Sequence, residues 1–179
     1  MSEWLDASEV ASLIKPGHRV YIGGSSNEPQ ALVEALKANP ACAEDVTFIQ
    51  QPLVVNKVDF SMLHTSAKQE TFFATPALKE GLANGDVAFI PMQMRAVFSH
   101  IQTMALDVAL LAAARDVNGV LRYGPNVDYA GAALTAAKCK IVEVSSNFVA
   151  PLGAPAVDEA DVDYLVASNS NVMTYPIAV

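Results

Sequence analysis

Residues 20–36 read VYIGGSSNEPQALVEAL, and this stretch decides the fold. Strand-forming residues come first, a glycine pair and a polar loop follow, and two leucines one helical turn apart come last. Proline is favoured in the first turn of a helix, so the helix is expected to begin near the proline. The pattern therefore predicts a strand at 18–22, a loop at 23–27 and a helix at about 29–37.

Outward from this unit, β-rich runs alternate with helical stretches, which is typical of a mostly parallel sheet. The other predicted strands are 46–55 (interrupted at 50–52), 87–90, 108–113, 120–123, 140–144 and 162–166, and the other predicted helices are 6–14, 76–83, 96–104 and 129–137. Residues 108–113 are apolar without alternation, as in a strand buried on both faces. Asn118-Gly119 favours a tight turn into a hairpin. We expect an α/β fold with a mostly parallel, mixed, open sheet flanked by helices.

Composition limits the partners. The chain has 179 residues, which fits one domain. It is 52% hydrophobic and 17% charged, against about 25% charged in a typical soluble domain. Either the sheet is buried on both faces or another domain covers part of the surface. The net charge is −8 and the 11 basic residues are dispersed, so a nucleic-acid partner is not expected.

The cysteines and the amino terminus indicate a compartment. Cys42 and Cys139 lie far apart and have no metal-type spacing, which favours a reducing setting and no bound metal. The first residues carry neither a basic region nor an apolar stretch, and no run approaches the roughly 18 apolar residues of a membrane span. We therefore expect a cytoplasmic protein with no membrane partner.

The glycine loop is the strongest candidate site. Ligands of open α/β sheets bind at the carboxyl ends of the strands, and Gly23 and Gly24 allow backbone amides to approach a ligand oxygen. The start of the following helix, at Pro29, favours an anion. The alternative is that the glycines only form a tight turn. The loop matches neither a dinucleotide fingerprint nor a phosphate-binding Walker loop.

Glu143 is the most informative carboxylate. It interrupts the apolar run Lys140-Ile141-Val142-Glu143-Val144, near the carboxyl end of a predicted strand. A buried carboxylate needs a partner, and at a ligand edge it is a candidate for function. A structural hydrogen bond to a loop backbone is an equally good interpretation. Because the three histidines are scattered and no nucleophile–base pair is evident, no residue is predicted to be catalytic.

Six segments, in this order, resemble the opening of one family. They are residues 13–24 (LIKPGHRVYIGG), 28–32 (EPQAL) and 89–91 (FIP), then 107–111 (DVALL) followed by Asp116, Asn118-Gly119 and Gly124, then 141–144 (IVEV) and 161–163 (DVD). The chain resembles the amino-terminal domain of the acetyl-CoA hydrolase/transferase family, which belongs to the family I CoA-transferases. The resemblance extends over nearly the whole chain.

The resemblance implies a fold of two related α/β halves with the active site between them. Residues 1–179 would form the amino-terminal half as a single domain, without the carboxyl-terminal half that carries the catalytic glutamate. Coenzyme A would be a substrate, together with small carboxylates such as 4-hydroxybutyrate, acetate or succinate. The implied partners are the other half and further copies of the chain, and the domain alone is expected to be inactive.

The resemblance also bears on individual residues. It implies that Gly23 and Gly24 offer backbone donors to the acyl group, and we add Ser25, Pro29, Glu143 and Asn147 as expected substrate contacts. Where the family has Asn directly after Glu-Val, Ser145-Ser146 precede Asn147 here. This departure favours an alternative, a non-catalytic module that binds a small anion or CoA. A third interpretation is a relative of the sugar-phosphate isomerases, but the sequence shows neither the base nor the phosphate-binding cluster that such an enzyme requires.

Overall fold

The computed structural model describes residues 2–175. The strands in chain order are β1 Glu3–Leu5, β2 Arg19–Ile22, β3 Thr47–Gln50, β4 Lys68–Thr71, β5 Val87–Phe89, β6 Leu106–Arg115, β7 Leu121–Tyr123, β8 Ala137–Ser145 and β9 Tyr164–Ser168. The helices are α1 Ala7–Val10, α2 Gln30–Ala38, α3 Lys79–Asn84, α4 Met94–Gln102 and α5 Ala130–Ala136, with short 3₁₀ turns between them. None of the helices in this part of the chain is both long and apolar enough to cross a membrane.

The strands form one mixed sheet in the order β1-β9-β8-β6-β2-β3-β4-β5, and neighbours along this path are parallel. Strand β7 pairs antiparallel with the end of β6 as a hairpin. The predicted α/β class is confirmed. Since β3 lies on one side of β2 and β6 on the other, the strand order reverses between β2 and β6, and ligands of open α/β sheets bind at such a reversal.

Helices cover both faces of the sheet. On one face, α1 and α2 bury Val10, Leu32 and Leu36 against the central strands. On the other face, α4 and α5 bury Val97 and Ile101 together with a set of small alanines. Both clusters consist largely of side chains that are fully removed from water, which is the main favourable contribution to folding. This double cover explains why the central strands are continuous apolar runs.

The boundaries differ from the prediction in several places. The helix predicted at 6–14 is α-helical only over Ala7–Val10, the helix predicted at 76–83 is α-helical only over Lys79–Asn84, and β8 begins at Ala137, where the predicted helix 129–137 was expected to end. The strand predicted at 46–55 ends at Gln50, because Pro52 has no N–H to donate and the neighbours β2 and β4 end at the same level. Strands β1 and β4 were not predicted. The first is three residues long at the sheet edge, and the second has the polar sequence Lys-Gln-Glu-Thr, so neither carries a strong hydrophobic period.

The hairpin after β6 is confirmed. Asp116 Oδ1 accepts hydrogen bonds from the amides of Asn118 (2.8 Å) and Val120 (3.0 Å). Its other oxygen lies 2.6 Å from Arg122 Nε, and these contacts hold the pKa of Asp116 below its usual value. Asp116 therefore fixes the turn, as a short polar side chain commonly does in this position.

Candidate functional site

The glycine loop follows β2, directly beside the reversal of strand order. Its first residue continues the ladder, because the Gly23 amide donates to Leu110 O of β6 at 2.9 Å. The chain then turns away through a single 3₁₀ turn, Ser25–Asn27, and enters α2. The loop predicted from the sequence thus lies at the carboxyl ends of the two central strands.

Gly24 approaches the neighbouring strand end more closely than any other residue type could. A Cβ atom at this position would lie 2.0 Å from Gln51 O, and backbone cannot move aside as a flexible side chain can. Within residues 2–175 the Gly24 amide has no hydrogen-bond acceptor. Because unpaired buried backbone donors are rare in folded proteins, this amide is a candidate partner for a ligand oxygen.

Ser25 has a left-handed backbone, with φ of 57°, which non-glycine residues adopt only when their surroundings enforce it. Here Asn56 enforces it from both sides. Its Oδ1 accepts from the Ser25 amide at 2.9 Å, and its Nδ2 donates to Ser25 O at 3.0 Å. Asn56 therefore acts as a clamp on the backbone directly after Gly24.

Glu28 connects this clamp to a second one. Its Oε2 accepts from Asn56 Nδ2 at 3.0 Å and from Gln50 Nε2 at 2.8 Å. The same Gln50 nitrogen also donates to Gly23 O at 3.2 Å, while Gln50 Oε1 is buried without a hydrogen-bond partner in the described chain. We call Glu28, Gln50 and Asn56 the loop-clamp cluster, because together they hold the backbone on both sides of Gly24.

The charge of Glu28 is poorly compensated. The residue is 6% exposed, and in the described part of the chain no Lys, Arg or His nitrogen lies within ion-pair distance of it. Burial raises the pKa of Glu28, and the hydrogen bonds from Gln50 and Asn56 lower it by a smaller amount. Carboxylates in this condition are concentrated at functional sites.

Glu143 has a different environment. It is 1% exposed, and its Oε2 accepts from the amides of Ala31 (2.9 Å) and Leu32 (3.2 Å) in the first turn of α2. Its Oε1 accepts from Ser168 Oγ at 2.8 Å. The expectation of an open anion site at this helix end is corrected, because the anion there belongs to the chain itself. Direct contact between Glu143 and a substrate stays a prediction.

Pro29 and Asn147 lie on the same edge of the sheet. Pro29 is buried directly before α2. Asn147 is exposed in the loop after β8, and its Nδ2 donates to Asn169 O and to Asn171 Oδ1 (3.3 Å) after β9. Gln30 of α2 donates to Asn171 O. The predicted contact residues thus lie along the carboxyl edge of the sheet. The expected donation from Gly23 to the acyl group is corrected, because its amide is bonded to Leu110 O, and the other substrate contacts stay predictions.

The loop-clamp cluster was missed by sequence reasoning. Glu28 stands inside the quoted loop, and its position before a proline at the helix start was a usable signal. Gln50 was assigned to a strand that was thought to continue, and Asn56 lies in a segment without periodicity. Only the parallel pairing of β2 with β3 brings these two amides beside the loop.

A second buried polar group lies on the opposite face of the sheet. Tyr21 is fully buried in the core cluster of α4 and α5, and neither its hydroxyl nor Asp128 Oδ2 has a hydrogen-bond partner in residues 2–175. Asp128 has a left-handed backbone, with φ of 43°. Burial raises the pKa of Asp128 to about 6. Burial also raises the pKa of the Tyr21 hydroxyl, and the nearby Asp128 carboxylate adds to this shift.

The remaining chemically active side chains make structural contacts. His18 Nδ1 accepts from the Lys15 amide (3.3 Å), His64 pairs with Ser66, and His100 lies edge-on to the Phe72 ring. No group of three or more His, Cys, Asp or Glu side chains in residues 2–175 is placed to hold a metal ion. Among the residues that the structure describes, the backbone donor at Gly24 is therefore the candidate for a substrate contact.

A family comparison decides the identity of the domain. The model of the acetyl-CoA hydrolase/transferase N-terminal domain matches residues 2–175. The chain belongs to this family. Family membership agrees with the order of segments in the sequence and with the glycine loop at the strand reversal. No protein with a curated function matches the chain by sequence.

Several solved structures share this fold. RipA from Yersinia pestis is 20% identical with a TM-score of 0.79, over 99% of this chain and 44% of RipA. The 4-hydroxybutyrate CoA-transferase from Porphyromonas gingivalis is 17% identical with a TM-score of 0.66, over 94% of this chain and 40% of that one. A variant of the decarboxylase AibA/AibB is 20% identical with a TM-score of 0.68, over 93% of this chain and 83% of that one. At these identities the likeness shows the fold.

Proposed function

We propose that this acetyl-CoA hydrolase/transferase N-terminal domain is one half of an acyl-CoA:carboxylate CoA-transferase or acetyl-CoA hydrolase. Residues 1–179 form a single α/β domain, and the substrates are an acyl-CoA and small carboxylates of the 4-hydroxybutyrate, acetate or succinate type. The observation that carries the proposal is the unpaired Gly24 amide beside the strand reversal, in a chain that matches the family throughout its described length.

The proposed reaction uses a glutamate of the other half as the nucleophile. Its carboxylate attacks the acyl-CoA carbonyl and expels the CoA thiolate, which leaves an acyl–glutamyl anhydride. The thiolate then attacks the glutamyl carbonyl, releases the first carboxylate and forms a glutamyl-CoA thioester. A second carboxylate then attacks the glutamyl-CoA thioester and expels the CoA thiolate, and this thiolate attacks the acyl carbonyl of the new anhydride, which gives the product acyl-CoA and regenerates the glutamate. In a hydrolase, water attacks the glutamyl-CoA thioester instead, which releases free CoA and regenerates the glutamate. Each step passes through an oxyanion, and the Gly24 amide is suited to donate to it.

Exposed apolar side chains support a second half that covers this one. Phe73 follows β4, Phe89 ends β5, and Met94 and Phe98 lie on α4; they are 45%, 48%, 69% and 42% exposed. Thr71 pairs with Phe89 across β4 and β5, so Phe73 and Phe89 lie at the same end of the sheet. Grouped apolar exposure of this kind marks an interaction surface.

The other half has two possible sources. The chain spans 44% of the length of RipA, which supports a second half on the same polypeptide. It spans 83% of the AibA/AibB chain that it matches, which supports a second half on a separate subunit. In both arrangements the proposed active site lies between the halves.

The test is an acyl-CoA assay on three samples: this chain alone, the chain combined with its carboxyl-terminal half, and that half alone. Loss of the acyl-CoA thioester and formation of a new one are followed with acetate, succinate or 4-hydroxybutyrate as the acceptor, and with no acceptor. We expect turnover only in the combination. Turnover without an acceptor identifies a hydrolase, and turnover that requires an acceptor identifies a transferase.

A trapping experiment locates the nucleophile. Borohydride reduces a glutamyl thioester to an alcohol, and peptide mass spectrometry finds the altered residue. We expect the modification in the carboxyl-terminal half. A modification at Glu28 or Glu143 of this chain would contradict the proposal. Binding of CoA by a combination that never turns over would favour the alternative, a non-catalytic module for CoA or a small anion.

A further inference from the structure

We infer that Glu28 is a positioning residue for the proposed reaction, because its buried carboxylate orients the two amide side chains that fix the glycine-loop backbone on either side of Gly24. The inference rests on the proposed function for its chemistry. Its geometry rests only on contacts within this chain. Glu28 does not touch the substrate in this account, and it acts through Gln50 and Asn56.

Glu28 is connected to the loop backbone on both sides of Gly24. Both amide nitrogens that reach Glu28 Oε2 also reach the loop backbone, Gln50 at Gly23 O and Asn56 at Ser25 O. Gly24 lies between these two anchored carbonyls. Its own carbonyl accepts from the Asn27 amide at 3.2 Å. The orientation of the Gly24 amide is thus set by one carboxylate acting through two bonds on each side.

Glu28 also bears on the orientation of the Gln50 and Asn56 side-chain amides. An amide side chain can flip by 180° and exchange its oxygen and nitrogen, and the bound partners decide the orientation. A carboxylate accepts only, so Glu28 requires the nitrogens of Gln50 and Asn56. Asn56 Oδ1 is thereby turned to the amides of Ser25 (2.9 Å) and Leu53 (2.8 Å). Without the carboxylate, the flipped orientation would present oxygen to Ser25 O and break the clamp.

This arrangement lowers the stability of the folded chain. A buried carboxylate without a cation is unfavourable, and the left-handed backbone of Ser25 adds strain. A loop that needed only packing would be more stable with an apolar residue at position 28. Retention of two unfavourable features around one backbone donor is typical of a pre-organised site.

Hydrogen exchange on the chain itself tests the geometric part. In the wild type the Ser25 amide is bonded to Asn56 and is expected to exchange slowly. Replacement of Glu28 by Ala or Asp withdraws the acceptor, and we expect exchange of this amide to accelerate about tenfold. In Glu28→Gln the amide oxygen can take the position of Oε2, so exchange stays close to wild type. If Glu28→Ala fails to fold, exchange of the Ser25 amide is measured in Glu28→Asp instead, because this variant keeps the charge but shortens the side chain.

Kinetics on the chain combined with its carboxyl-terminal half test the catalytic part. A misplaced oxyanion donor lowers kcat by about 100-fold while the KM for acyl-CoA changes little. We expect this result for Glu28→Ala and Glu28→Asp, and recovery of most of the activity in Glu28→Gln. The matched control is Asp107→Asn. That carboxylate bonds the Arg19 amide and Lys138 at the opposite edge of the sheet, so kcat should remain at the wild-type value.

The outcomes distinguish the positioning role of Glu28 from the proposed function of the domain. An active wild type with unchanged kcat in Glu28→Ala would overturn this inference and leave the proposed function intact. An equal loss in Glu28→Gln would also overturn it, because the charge and not the positioning would then matter. A wild-type combination without acyl-CoA turnover would overturn the proposed function and the catalytic part together. Unchanged Ser25 exchange in Glu28→Ala would overturn this inference, because Glu28 acts only through the loop geometry, and would leave the proposed function intact.

Discussion

The ends of strands β2 and β8 carry two buried glutamates of similar exposure and different bonding. At the end of β8, both oxygens of Glu143 are bonded, one to two helix amides and one to a serine hydroxyl. After β2, Glu28 uses one oxygen for two side-chain amides. The first carboxylate joins regular elements to each other, and the second shapes an irregular loop.

The two carboxylates differ in how fully their hydrogen bonds compensate for burial. The hydrogen bonds of Glu143 replace those lost to water, and the positive end of α2 favours its charge. Burial raises the pKa of Glu28, which shows that its bonds do not compensate fully. Complete compensation is what a protein needs for stability, whereas incomplete compensation is retained where a geometry is needed.

The strongest way to test this contrast is Glu143→Ala. The change leaves the Ala31 and Leu32 amides without their acceptor, and we expect a loss of about 3 to 5 kcal/mol in the free energy of unfolding. Urea unfolding of the chain measures it. Glu143→Gln keeps one acceptor oxygen and should cost clearly less. A loss below about 1 kcal/mol for Glu143→Ala would contradict a structural role and return Glu143 to the substrate contacts.

The same contrast explains how far the sequence could predict the site. The unit at residues 20–36 has an uninterrupted pattern, so its strand, loop and helix were predicted nearly to the residue. Glu143 stood out because a charge within an apolar strand is a local signal. Its partners are amides more than a hundred residues away in sequence, and a pattern of side chains contains no information on where backbone donors will lie.

The loop-clamp cluster could not be predicted for a related reason. Gln50 and Asn56 are ordinary polar residues near a proline, and the same composition is typical of a solvent-exposed loop. Their burial depends on the register of β2 with β3, where Tyr21 lies opposite Ile49. Register follows from the tertiary packing of both faces, so residues whose role depends on it emerge only from the structure.

The next largest effect is expected at Gly24, where the glycine loop lies very close to the backbone that follows β3. In Gly24→Ala the new methyl group would overlap Gln51 O, so the backbone must shift, and we expect a loss of about 3 kcal/mol. Thermal and urea unfolding measure it. The matched control is Gly131→Ala in α5, where the nearest atom to the added Cβ is 3.8 Å away. Alanine should stabilise that helix by about 0.5 to 1 kcal/mol.

Asp128 extends the comparison to a carboxylate that is bonded still less, since one of its oxygens is buried without a partner in the described residues. Burial raises its pKa in the folded chain from 3.8 to about 6. The folded state therefore binds this proton more tightly than the unfolded state does. Its contribution to stability is complete below the unfolded pKa and is lost as the pH rises through the folded pKa.

Asp128→Asn removes this titration and keeps a residue type that tolerates a left-handed backbone. Between about pH 4 and pH 7 the stability of the variant relative to wild type should rise by on the order of 2 kcal/mol, after allowance for partial solvent screening. Urea unfolding at a series of pH values measures the difference, in which titration of the other carboxylates cancels. A difference that is flat with pH would contradict a burial cost for the charged form of Asp128. A rising difference places Asp128 beyond Glu28, as the less compensated of these two carboxylates.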